Sequence, residues 1–191
     1  MRQAWFHSSE GELKSPIGPI YGAHTELGVC LIAIDCKSEE DFARMARKRG
    51  IRLIGRSRER LAEFFGELRE YFELNRSSFR CRPDLDGLRE FSRAVLLEAA
   101  KVRAGETVSY GELARRVRRP GAARAVGQVM AHNPVPLLVP CHRVISSDGS
   151  LGGFGAGLEI KRWLLAHEGA RAWNDAYSGA APPAQERRAA R

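Results

Sequence analysis

Between residues 17 and 35, IGPIYGAHTELGVCLIAID sets two short apolar runs on either side of the polar HTEL, the pattern of a hairpin. Helical spacing follows twice, over residues 39–48 and 57–74. In the second run Leu61, Phe64, Phe65, Leu68, Tyr71 and Phe72 share one apolar face. A strand pair with helices laid against it makes a small α/β unit, which we place at residues 1–80. NRSSFRCRPDLDG then loses periodicity and is rich in turn formers, so residues 81–87 read as a linker. Beyond it, LREFSRAVLLEAAKV is a helix that turns Phe91, Val95, Leu96 and Ala99 inward, and the glycine of RAGETVS ends it.

A helix-turn-helix pattern comes next. Ser109 followed by Glu112 is a capping box, in which the serine accepts a backbone N–H and the glutamate reaches back. The turn RRPG leads into AARAVGQVMAH. At about 100° per residue, Ala122, Ala123, Val126, Val129 and Met130 face inward, while Arg124 and Gln128 point out one turn apart. The rest of the outer face is small: Ala125, Gly127 and Ala131. A helix that reads base edges in the major groove displays several polar side chains. This one offers two, and its small surface suits close, sequence-tolerant approach at the minor groove. The bland alternative is a core helix with one solvated arginine.

The second helix must stop at HNPVP, because the residue before a proline avoids helical angles. Asn133 is then a hinge that delivers the chain to VPLLVP and to Cys141 at the floor of a pocket. Most buried cysteines are inert packing. Here His142 and Arg143 could supply a base and a positive field, which would lower a thiol pKa from its usual value of about 8.5. Adjacent residues project in different directions, so a water relay between thiol and imidazole is the expected geometry. Glu168 in LLAHEGA is a candidate to orient the histidine. A solvated His142, a structural ion pair at Arg143 and a helix-end Glu168 are the plain alternatives.

Composition adds three constraints. The 191 residues suffice for one or two compact domains, and 43% hydrophobic with 28% charged residues is ordinary for a globular chain. No apolar run of about 18 residues exists, and the N-terminus lacks the apolar core of a secretory signal. An intracellular setting follows, cytoplasmic in a prokaryote, where Cys30, Cys36, Cys81 and Cys141 are free thiols rather than a disulfide framework. The formal net charge of +8 fits a polyanionic partner. Part of that charge sits in RAWNDAYSGAAPPAQERRAAR, whose composition could not fill a core; residues 172–191 are expected to be a flexible tail.

The stretch NPVPLLVPCHRVISSDGSLGGFGAGLEIKRWLLAHEG, preceded by TVSYGELA and ARAVGQVM, resembles the O6-alkylguanine-DNA alkyltransferases. The resemblance is strong over residues 91–169 and weaker in SPIGPIYGAHTELGVCLIAID. It implies an α+β fold: a small ribonuclease-H-like N-terminal domain, then a winged-helix-type domain at residues 88–171. The implied activity is irreversible, stoichiometric transfer of an alkyl group from O6 of guanine, and from O4 of thymine, to Cys141. His142, water and Glu168 would activate the thiol, and Asn133 would hold the hinge. Arg124 would enter the stack vacated by a flipped nucleotide, with Gln128, Ala125, Gly127 and Arg143 also against DNA. Tyr110 would donate to the guanine ring nitrogen that faces it. Carbonyls of Cys141 and Val144 would accept from the exocyclic amine, the Gly155 amide would donate toward the alkylated oxygen, and Met130 and Phe154 would wall the pocket. The partner implied is duplex DNA carrying alkylated guanine, bound with little sequence preference by a monomer, with no membrane, metal or organic cofactor.

Phe154 stands where a tyrosine is frequent in that family, and Ala156 replaces a common glycine, which would tighten the pocket against bulky groups. Some relatives hold zinc through N-terminal Cys and His; Cys30, Cys36, His7 and His24 lack ligand spacing and read as packing. Relatives with tryptophan in place of the cysteine bind lesions without repairing them, and Cys141 argues against that role. A DNA-binding regulator without chemistry and a multiple-turnover cysteine hydrolase are the rival classes.

Overall fold

In the computed structural model, which describes residues 1–9, 13, 15–170 and 173, the first half is a mixed sheet between two helices. Strands β1 (Arg2–Ser8), β2 (Ile20–Thr25) and β3 (Gly28–Ile34) form an antiparallel meander. After helix α1 (Glu39–Lys48), strand β4 (Ile51–Arg56) joins parallel to β1, giving the order β3-β2-β1-β4. Helix α2 (Arg58–Phe72) follows. Both helices start where a serine can cap them: Ser38 Oγ accepts from the Asp41 amide at 3.1 Å and Ser57 Oγ from the Arg60 amide at 3.3 Å. The hairpin and both helices agree with the apolar pattern. β1 and β4 are additions to it: only Ala4, Phe6 and Ser8 of β1 and Ile51 of β4 are buried.

The sheet is apolar on both faces. Phe42 and Ala46 of α1 pack on Ala4, Phe6, Tyr21, Leu31 and Ile51 on one side. On the other, Leu61, Phe64 and Leu68 of α2 pack on Ile20, Val29 and Ile32, each fully buried side chain contributing about 1.5–3 kcal/mol. α2 rides low over β2 because Gly22 has no side chain; a Cβ there would lie 3.1 Å from Leu61 Cδ2. Cys30 sits within the sheet, its thiol 3.4 Å from the Ala23 carbonyl and its pKa pushed up to about 12 by burial.

The expected linker is docked rather than loose. Val29 N–H donates to the Arg82 carbonyl at 2.9 Å and Asp84 N–H to the Val29 carbonyl at 2.8 Å, along the free edge of β3. Arg2 and Thr25 hold the Asp84 carboxylate. Glu67 on α2 accepts from the Arg80 and Cys81 amides, which seats the approach to this crossing.

The second half is helical: α3 (Glu90–Ala99), α4 (Tyr110–Arg116), α5 (Ala123–Ala131) and α6 (Leu158–His167). Two-residue strands β5 (Val108–Ser109) and β6 (Val144–Ile145) pair in parallel. α3 stops at Ala99, ahead of the glycine expected to end it; Gly105 instead takes a φ of +81° in the following turn. Of the capping box only half forms. Ser109 Oγ accepts from the Glu112 amide at 3.1 Å, but the Glu112 carboxylate turns to Arg115 and Arg116. One continuous apolar cluster runs from Ile32 and Leu68 through Val95, Leu113 and Val126 to Cys141, so the two halves share a core. The expected C-terminal tail, Trp173 apart, lies outside the described residues.

Candidate active site

The chain leaving α5 is turned by the side chain of Asn133. Its Nδ2 donates to the Val139 carbonyl at 2.8 Å and its Oδ1 accepts from the Val135 amide at 3.1 Å, so one buried amide closes the loop. The Ile32 amide on β3 donates to the Pro134 carbonyl at 2.8 Å, which ties this hinge to the sheet. Leu137 holds a φ of +76°, a conformation that costs a non-glycine residue about 1–2 kcal/mol and is kept here by those bonds and by burial. The loop delivers Cys141 into a single 3₁₀ turn, Cys141–Arg143.

Cys141 is 6% exposed and opens into a cleft of about 190 Å³ with Met130, Asn133, Phe154, Gly155 and Ala156 in its walls. A second groove of about 520 Å³ runs past Tyr110, Arg124, Gly127 and Gln128. Ala131, Phe154 and Gly155 line both, so the groove on the outer face of α5 leads to the thiol.

Next to Cys141 in the chain, His142 and Arg143 join a buried hydrogen-bond network around Glu168. His142 Nε2 is 3.0 Å from Glu168 Oε1, with their side chains 1% and 2% exposed. The carboxylate also accepts from Arg143 Nε at 2.8 Å, Arg143 Nη2 at 2.7 Å and the Tyr71 hydroxyl at 2.8 Å. The donors from His142 and Arg143 hold the Glu168 carboxyl far below the usual range against the cost of burial. Burial lowers the His142 pKa and Glu168 only partly opposes it, so the imidazole is neutral near pH 7. Facing a carboxylate, Nε2 must carry the proton. Nδ1 is then a lone-pair acceptor, buried and without a partner among the described residues.

Lysine also enters the site. Lys161, fully buried, donates from Nζ to the carbonyls of Val144 at 2.6 Å, Leu151, and Gly153 at 3.4 Å. It thereby straps the loop that carries Phe154 and Gly155 to β6. Burial brings its pKa down to about 8, while Cys141 pulls it the other way. Tyr110 starts α4 beside this loop, and burial together with Cys141 raises its pKa, so the phenol keeps its proton.

Comparison with known proteins places this arrangement. The model of the 6-O-methylguanine DNA methyltransferase DNA binding domain matches residues 90–170. A methylated-DNA–protein-cysteine methyltransferase of Shigella flexneri is 44% identical over 103 residues, which cover 54% of this chain and 60% of that protein. The chain thus spans less than two thirds of that relative. The crystal structure of Mycobacterium tuberculosis O6-methylguanine methyltransferase superposes with a TM-score of 0.71 at 32% identity, over 90% of this chain and 96% of that one. The chain belongs to the O6-methylguanine DNA methyltransferase family. The Mycobacterium tuberculosis OGT in complex with DNA matches at 31% identity and a TM-score of 0.68, over 90% of this chain and 94% of that one.

For a member of the O6-methylguanine DNA methyltransferase family the motif residues fall in three places. Tyr110, Arg124, Gly127, Gln128, Phe154 and Gly155 line the outer groove, with Ala125 exposed on the same helix. Cys141, Asn133 and Met130 line the inner cleft, and His142 and Glu168 lie behind it. One expectation needs correction. Arg143, placed at the DNA surface by the resemblance, is 6% exposed and clamps Glu168 while its Nη1 donates to the Val102 carbonyl at 2.5 Å; it is structural because Glu168 needs its charge met. Val144 is buried in the core, and its carbonyl accepts from Lys161 Nζ at 2.6 Å. The thiol departs from expectation as well. Burial raises the Cys141 pKa, and the opposing groups are Asn133 first and Lys161 second, rather than Arg143.

Lys161, and the Tyr71 hydroxyl on the apolar face of α2, join the site without being expected there from the sequence. The first had a signal: Lys161, Leu164, Leu165 and Glu168 follow helical spacing, so the lysine occupies a slot in the buried stripe of α6. Ile32, Met45 and Arg49 of the N-terminal half also line the inner cleft, a contact without local sequence signal.

Proposed function

We propose that this protein repairs DNA by moving an alkyl group from O6 of guanine to the Cys141 sulfur, once per molecule. The observation that carries the reading is the partnerless His142 Nδ1, buried on the residue next to the Cys141 thiol, with Nε2 of the same ring held by a carboxylate. Water on Nδ1 takes the thiol proton to the imidazole, and Glu168 steadies the imidazolium. Lys161 and the Asn133 amide favour the thiolate that remains. The thiolate attacks the alkyl carbon in line as the carbon–O6 bond breaks, and its electron pair departs with the base. Tyr110 donates a hydrogen bond to the ring nitrogen on which that charge gathers, and solvent supplies the proton as the base is released. The product is a thioether, which no group in the cleft can hydrolyse.

The target atom is hidden in the duplex, so the nucleotide must leave the stack at a cost of a few kcal/mol. α5 supports this. Its outer face bears only Arg124 and Gln128 among alanine and glycine, a shape for the minor groove, with Arg124 filling the vacated space. The DNA complex of the Mycobacterium tuberculosis relative supports the same partner.

The test is a single-turnover assay with a duplex oligonucleotide holding one O6-methylguanine. Mass spectrometry should find one added methyl per protein, on the peptide containing Cys141, and none in Cys141→Ser. Repeated turnover would point to a hydrolase, and sequence-dependent binding indifferent to Cys141 would point to a regulator.

A further inference from the structure

Acceptor, relay and DNA-facing helix all lie between residues 110 and 168, and the alkyl-transfer reading asks nothing of α2. Yet α2 ends on the relay. Tyr71, 1% exposed, gives its phenolic hydrogen to Glu168 Oε1 at 2.8 Å, the same oxygen that meets His142 Nε2 at 3.0 Å. The bond spans 97 positions of sequence. It is held in place from both sides: His167 Nε2 lies 2.8 Å from the Tyr71 carbonyl, the Tyr71 and His167 rings meet edge to face at 5.0 Å, and Phe72 meets Trp163 at 5.9 Å.

We propose that Tyr71 is a positioning residue for alkyl transfer: its phenol fixes the Glu168 carboxylate and draws off part of its charge, which sets how strongly His142 holds a proton. The proposal rests on the reading of Cys141 as acceptor and His142 as its base. Hydrogen-bond donors on one carboxylate compete for the same negative charge. Arg143 supplies two and His142 a third, both from the 3₁₀ turn, and Tyr71 adds the one that comes from the N-terminal half. The other charged or titratable groups nearby are accounted for. Lys161 of α6 is committed to the Val144, Leu151 and Gly153 carbonyls, His167 faces Tyr71, and Arg76, on the wall of a cavity of about 230 Å³ that reaches Glu168, is held by Glu67 and Glu70. Removing the phenol therefore concentrates charge opposite His142 and makes the imidazole a stronger base. A base that is already protonated cannot take the thiol proton, so the acid limb of the transfer rate moves to higher pH.

The experiment compares the full chain with Tyr71→Phe and with Phe72→Leu, which loosens the same α2–α6 contact but leaves the phenol. Nitrogen-detected NMR follows the His142 ring through a pH titration, and burst rates on the methylated oligonucleotide are measured across the same range. In Tyr71→Phe the His142 titration and the acid limb both shift upward by about half a unit to one unit, with affinity for undamaged duplex unchanged. In Phe72→Leu the melting temperature falls and neither curve moves. Should Tyr71→Phe fold poorly, 3-fluorotyrosine at position 71 keeps the bond with a stronger donor and must move the His142 titration downward. An unmoved His142 titration in a folded position-71 variant, or the same shift in Phe72→Leu, overturns the proposal. If the unaltered protein transfers no methyl, the alkyl-transfer reading fails, and the NMR titration still decides whether Tyr71 controls His142.

Discussion

Gly152→Ala isolates the part played by Tyr110. Gly152 has a φ of +65°, and a Cβ built there lies 2.7 Å from Tyr110 Oη, 3.1 Å from Cε2 and 3.3 Å from Cζ. The left-handed conformation costs alanine about 1–2 kcal/mol, and in a chain of this size each kcal/mol lowers the melting temperature by about 2–4 °C. The phenol must also retreat by about 0.7 Å before its oxygen regains ordinary contact at 3.4 Å. Misplacement on the scale of 1 Å costs about 10²-fold in rate, so the burst constant should fall by about ten- to a hundredfold while Cys141 stays reactive toward a small thiol reagent. Gly153→Ala is the control, because nothing lies within 4 Å of its Cβ and its φ is not positive. It should transfer at nearly the normal rate. A Gly152→Ala protein with a lowered melting temperature and an unchanged burst would show that the position of Tyr110 does not govern the reaction.

Asn133→Ala leaves the Val135 amide buried without its partner and takes one of two donors from the Val139 carbonyl, which keeps the Cys141 amide at 2.8 Å; urea unfolding should show a loss of about 1–3 kcal/mol, and iodoacetamide labelling a less reactive Cys141. Arg143→Met strands the Glu168 charge and should cost about 3–5 kcal/mol in the same assay. It should leave the salt dependence of duplex binding intact, unlike Arg124→Ala. Because the Glu168 pKa is depressed by folding, its contribution to stability is complete above its unfolded value of 4.5 and drains away as pH falls below it; the urea midpoint of the unaltered protein should drop there more steeply than that of Glu168→Gln. With Lys161 titrating at about 8, the thiolate loses a neighbouring cation above that pH, and burst rates should show an alkaline fall that Lys161→Met lacks.

The sequence disclosed what was local. Ser109 marks the start of α4, the hairpin shows in its two apolar runs, and the acceptor segment is legible because proline, cysteine and histidine stand side by side. What failed to show depends on distance. β1 and β4 are half-polar strands whose partner is another strand, so their alternation does not stand out from charged neighbours. An ion pair at Arg143 is open from the sequence, but its partner stays unnamed until α6 brings Glu168 onto it, 25 positions later. Tyr71 was correctly set on the apolar face of α2, but its hydroxyl has a destination that spacing cannot reveal. Lys161 is hidden for the opposite reason, since a lysine's residue type points to the surface while its slot lies in the buried stripe.

The hydrogen bond from Ile32 to Pro134 has a consequence for solubility. β3 is an outer strand, and its outward amides and carbonyls would invite a strand from another molecule. Residues 82–84 cover one end of that edge and the Asn133–Pro134 turn covers the other, whereas the opposite edge, β4, carries the exposed arginines Arg52 and Arg56. The segment that presents the thiol is therefore also a guard against self-association. Substitutions that free it should first be noticed as precipitate in the tube, before any assay registers a slower reaction.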